Sequence, residues 1–99
     1  MSGRRTRIRP AVEQELGLLL ATGPFEAALR AAIKARGLGL ERIRYRLLSR
    51  GSSLSVATLS HWQSGRCRPE RPDSLRALAN LEEILDLPPT SLSRLLRRP

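Results

Sequence analysis

Apolar residues recur three and four apart along most of this chain, and glycine or proline interrupts the recurrence at short intervals. That combination leaves room for short helices and little else. Val12, Leu16, Leu19 and Leu20 share one side of a helix predicted over 11–21, which the Thr22-Gly23-Pro24 break ends. Pro24 suits the first turn of a second helix, running to Arg36 with Phe25, Leu29, Ala32 and Ile33 on one face. Gly37 and Gly39 stop it. A third helix is predicted from Leu40 to Ser49 with Leu40, Ile43 and Leu47 inward, followed by an Arg50-Gly51-Ser52-Ser53 turn. Pro72 opens a later helix bearing Leu75, Leu78, Leu81 and Leu85, and Pro88-Pro89 closes it. Thr90 then caps a last helix, with Leu92, Leu95 and Leu96 inward and Arg94, Arg97 and Arg98 outward. No stretch alternates apolar and polar residues long enough to make a strand. The predicted fold is all-α, a compact bundle of about five to six short helices with no internal repeat. Residues 1–10 form a disordered basic arm, 11–21 an accessory helix and 22–97 the main domain.

The segment from Leu54 to Pro69 carries the densest local signal. Ser55 is a good N-cap, and Leu54 and Leu59 have the spacing of a hydrophobic staple across it. Leu59 and Trp62, three apart, anchor the predicted helix in a core. Gly65 supplies a left-handed stop. The opposite face holds Ala57, Ser60, His61 and Ser64. Small residues there let the helix backbone approach base edges, Ser and His can hydrogen-bond to them, and Val56 can touch a thymine methyl. An ordinary solvated surface helix is the bland alternative.

Charge bears on that choice. The 99 residues hold 18 Lys+Arg against 9 Asp+Glu, a net charge of +9. An excess of this size in a short chain favours nucleic acid or an anionic membrane surface as partner. All the cations except Lys34 are arginine, whose planar fork suits phosphate and guanine. Composition bias accounts for arginine over lysine but not for the cationic excess. Arg4, Arg5, Arg7 and Arg9 lie in the arm, which could follow a minor groove or phosphates. Arg42, Arg46 and Arg50 form a stripe at i, i+4 and i+8, beside the capped helix and within reach of a phosphate backbone if that helix enters a groove. Arg66, Arg68 and Arg71 follow the capped helix.

From about Phe25 to Leu96 the chain resembles the Xre-type helix-turn-helix domain of phage repressors and many bacterial regulators, actinobacterial ones in particular. The likeness rests on F-x-x-x-L-x-x-A-I-x-x-R-G-L over 25–38, S-x-x-T-L-S-x-W-x-x-G-R-x-R-P over 55–69, and S-L-x-x-L with L-E-E-I-L-x-L-P over 74–88. The middle motif is the most specific. The resemblance implies a helix-turn-helix within the bundle and a sequence-specific regulator of transcription. It also implies that Val56, Ala57, Ser60 and His61 read bases, with Ser55, Thr58, Ser64, Arg66 and Arg68 at or near phosphates. Two departures stand out. Gln63 occupies a place where the family commonly has Glu. Ile43 to Leu59 spans 16 positions, roughly five more than the pattern. Either the scaffold helix runs on, or the turn makes a loop of its own, and the docking angle and the contact of Arg50, Ser52 and Ser53 with the DNA backbone depend on which. Residues 11–21 have no counterpart in the minimal domain, and the chain reads as a short regulator or as a DNA-binding fragment.

Other chemistry finds little support. His61 and Ser60 are neighbours without an acid to orient the imidazole, so no catalytic function is expected. One His and one Cys do not make a metal site, and no cofactor is expected. No glycine-rich phosphate loop is present; Gly37-Leu38-Gly39 is a helix stop. Cys67 cannot form an internal disulfide, which suits a reducing cytosol; association with the nucleoid is expected from DNA binding. Three aromatic residues are too few for single-strand stacking platforms. No run reaches the roughly 20 apolar residues of a membrane span. Double-stranded DNA is the expected partner. The face of Val12, Leu16, Leu19 and Leu20 is the candidate homodimer surface, against simple packing onto its own domain. Glu82, Glu83 and Asp86 form an acidic spot that would suit a partner protein. Two other function classes remain: an antitoxin-like or adaptor-like interaction module, and a sequence-blind nucleoid coater.

Overall fold

The computed structural model describes residues 10–97, and within them the chain is all helical. The order is α1 (Pro10–Thr22), α2 (Phe25–Arg36), α3 (Leu40–Ser49), α4 (Val56–Ser64), α5 (Pro72–Ile84) and a 3₁₀ segment (Ser93–Arg97). Arg4, Arg5, Arg7 and Arg9 lie outside the described residues. Pro10, assigned above to the arm, is instead the first residue of α1. None of the described helices is long and apolar enough to cross a membrane.

Each helix stops for a local reason. α2 ends at Gly37, whose φ of 71° lets its N–H reach the carbonyls of Ile33 and Lys34. Lys34 and Arg36 occupy its last turn and complement the helix dipole. α3 ends in a Schellman turn: Gly51 N–H bonds to Leu48 O, Ser52 N–H to Leu47 O, and Gly51 takes a φ of 87°. The lengthened connection to α4 is therefore a loop of its own, not an extension of α3. α5 stops at Ile84, ahead of Pro88 and Pro89, because Asp86 takes the left-handed conformation there with a φ of 61°. Pro24 lies at the N-cap of α2, one place before its expected position in the first turn.

One core unites the elements. Phe25, Leu29 and Ile33 of α2 meet Ile43 and Leu47 of α3, Leu59 and Trp62 of α4, and Leu78, Leu81 and Ile84 of α5, with Leu92 and Leu95 closing one end. α1 packs on α2. Leu16, Leu19 and Leu20, three members of the expected dimer surface, are partly buried against this core of their own chain; the Val12 side chain lies outside the described residues. Leu18 is the large apolar side chain that α1 leaves in solvent. Leu75, expected inward on α5, is likewise exposed.

The acidic spot also resolves differently. Glu82 is buried, and its carboxylate accepts hydrogen bonds from the backbone N–H groups of Thr90, Leu92 and Ser93 at 2.9–3.0 Å. Glu82, and not the Thr90 side chain, caps the final turn. Thr90 itself sits at a φ of 65°. Glu83 stays on the surface in an ion pair with Arg50.

Candidate nucleic-acid interface

α4 is built as its sequence suggests. Ser55 has extended dihedrals, and its Oγ accepts the Thr58 N–H at 3.0 Å while donating to Thr58 Oγ1. Leu54, at the staple position, is partly buried against the core that contains Leu59. Gly65, with a φ of 82°, ends the helix, and the Arg66 N–H turns back to His61 O at 3.0 Å. Ser55→Ala is expected to cost about 1 kcal/mol by removing the cap. Thermal unfolding should read it as a drop in Tm of roughly 4–8 °C.

Leu59 and Trp62 are buried, which fixes the rotation of α4 about its axis. Ala57, Ser60 and Ser64 are consequently exposed along one line, with Val56 and His61 half-buried beside them. α4 carries no acidic or basic side chain apart from His61. The charge is held in the loop that follows, where Arg66, Arg68 and Arg71 are exposed against a single Glu70. The face thus presents no acidic side chain and no Lys or Arg of its own, and guanidinium groups stand at its C-terminal end.

α2 holds that end in place, which the sequence did not reveal. Arg30 Nη1 donates to Gln63 O at 2.7 Å, satisfying a carbonyl in the last turn of α4. Glu26 lies 3.9 Å from Arg68 and directly behind Gly65. A Cβ on Gly65 would come within 3.2 Å of Glu26 Oε2, a side-chain end that can shift by a few tenths of an ångström, so it is the positive φ that calls for glycine. The available signal was the i, i+4 pairing of Glu26 and Arg30 on one face of α2. Gln63 is half-buried, its Nε2 within 3.5 Å of Leu59 O.

Other expected contacts are not gathered here. Ser52 is buried, its hydroxyl takes a hydrogen bond from Asn80 Nδ2 at 2.8 Å, and its N–H is spent on Leu47 O. Its burial keeps it from a phosphate, and it serves to join the loop to α5. Arg50 is tied to Glu83. Arg46 and Arg50 line a cleft with Arg36, Ser49, Ile84 and Asp86, where α2, α3 and α5 end. Arg42 and Arg46 line an open groove with Gly39, Glu41 and Tyr45. No α4 residue lines either. Ser55 has committed its hydroxyl proton to Thr58, and the Ser64 hydroxyl donates to His61 O at 3.1 Å. What remains together is Val56, Ala57, Ser60 and His61 with Arg66 and Arg68.

Comparison with protein-family models, with curated proteins and with solved structures finds no match to this chain. The α4 surface therefore stands on its own geometry. Cys67 is a free, exposed thiol in the same loop. Among the described residues, no three His, Cys, Asp or Glu side chains converge as they would to hold a metal ion.

Proposed function

We propose that this protein is a sequence-specific double-stranded-DNA-binding regulator of transcription. α3 and α4 act as a helix-turn-helix of the Xre type, and α4 enters the major groove. The observation that carries the reading is the division of α4: Leu59 and Trp62 seat one side in the core, and the other side exposes small residues that lead directly into Arg66 and Arg68. Ala57 and Ser60 allow close approach, and Val56 and Ala57 offer methyl groups to thymine. Ser60 and His61 offer hydrogen bonds to base edges. Arg66, Arg68 and Arg71 hold phosphates at the end of the groove, and the arm arginines follow the duplex on either side. The net charge of +9 supplies non-specific attraction and steering. A cytoplasmic, nucleoid-associated location belongs to the same proposal.

Selection from random duplex DNA at about 0.15 M salt tests it. The expected result is an enriched motif, with log–log salt dependence near −5 for roughly six phosphate contacts. Against the selected duplex, His61→Ala and Ser60→Ala should change preference by roughly 1–3 kcal/mol at one base pair, whereas Arg66→Ala should weaken all duplexes alike. Tight binding without a motif would replace this reading with a sequence-blind coater. Absence of duplex binding would replace it with an antitoxin-like or adaptor-like module that holds a partner protein.

A further inference from the structure

Four large apolar side chains are exposed among the described residues, and three of them lie on two helices of opposite character. α1 contains Glu13 and Glu15 and no Lys or Arg, and its Leu18 is 68% exposed. α3 carries Arg42, Arg44 and Arg46 against one Glu41, which Arg44 engages at 3.3 Å. Its Tyr45 and Leu48 are 68% and 46% exposed. The open groove along α3 that Tyr45 lines, with Arg42 and Arg46, is about 790 Å³ in volume.

We infer that the outer face of α1 in one copy of this chain docks on the outer face of α3 in another. The spacing matches: Glu15, Leu18 and Ala21 fall at i, i+3 and i+6 on α1, and Arg42, Tyr45 and Leu48 do the same on α3. An acidic group, a large apolar group and a small group thus meet a basic group, an aromatic ring and a second apolar group. α1 packs on α2, whereas α3 packs on α4 and α5, so the two faces belong to different parts of the molecule. A contact between unlike faces is heterologous, and it propagates head to tail unless the rotation closes a ring. A second copy fits better than an isologous pair, because either face against itself would set like charges together. The contact is independent of the proposed role of α4 in DNA binding.

Sedimentation of the purified full chain at moderate salt, over a wide range of concentration, tests the inference. The expected result is reversible association whose average mass rises past the dimer. Leu18→Arg and Tyr45→Glu should each weaken it at least about tenfold. Each variant keeps one intact face, so an equimolar mixture of the two should recover 1:1 dimers that grow no further. Both positions are exposed, and a circular-dichroism melt verifies that the variants fold. The charge exchange Glu15→Arg with Arg42→Glu should restore association that either change alone reduces. A wild-type chain that stays monomeric at every concentration overturns the inference. So does association that neither substitution weakens, or a mixture that fails to pair. Tyr45→Glu weakening duplex binding while leaving sedimentation unchanged would assign the α3 face to DNA instead.

Discussion

Glu82→Ala is expected to lower the unfolding free energy by about 3 kcal/mol, although no part of the proposed DNA surface contains Glu82. The carboxylate is 3% exposed and is the acceptor for three backbone N–H groups, of which that of Leu92 is fully buried. Alanine leaves those donors without a partner, and each buried orphan costs about 1–3 kcal/mol, less where water can reach it. A domain of this size is stable by about 5–15 kcal/mol, so the loss is a large fraction of the whole. Thermal unfolding should fall by roughly 12–24 °C. Glu82→Gln keeps one acceptor oxygen and should recover part of the loss. A change under about 1 kcal/mol would mean that the final turn does not depend on this cap. The damage should be felt at α1 as well, because Arg94 of that turn donates to Leu20 O at 3.2 Å.

Trp62→Ala is expected to be at least as severe, at about 3–5 kcal/mol, through lost burial and the cavity left behind. Trp62 is 2% exposed and is among the largest side chains of the core. It also determines which side of α4 faces outward. Urea unfolding followed by circular dichroism is the suitable measurement, since the substitution removes the chain's single tryptophan and its fluorescence. Trp62→Phe should cost clearly less and should preserve duplex binding if the proposed role of α4 holds. Loss of that binding in a folded Trp62→Phe protein would show that the seating of α4, beyond its mere presence, matters.

Helix existence and most helix ends were legible because their causes are local. Leu40–Ser49 matches the predicted span of α3, and Ser55 and Gly65 bracket α4 as their side-chain chemistry requires. The exposed line of Ala57, Ser60 and Ser64 followed from where Leu59 and Trp62 had to go. Expectations failed where burial depends on a second element. Leu16, Leu19 and Leu20 formed an apolar face that could have met another molecule, and α2 covers it. Leu75 had the spacing of a core residue, yet it is left exposed on α5. Ser52 and Glu82 read as surface polar groups until Asn80 and the 90–93 backbone were found against them.

The sequence by itself determined that the chain is helical, where most of its helices start and stop, that its charge is strongly positive, and that α4 has one apolar and one small, polar side. These properties depend on hydrogen bonds, dihedral preferences and side-chain spacing within a few residues of each other. Only the tertiary structure decided which apolar faces are spent on the core and which polar groups are buried. It alone showed that Arg50 is tied to Glu83, and that Arg30 and Glu26 brace the end of α4. Those outcomes depend on desolvation and on partners 28 to 33 residues away in sequence or contributed by another helix, such as Asn80 for Ser52 and Glu83 for Arg50.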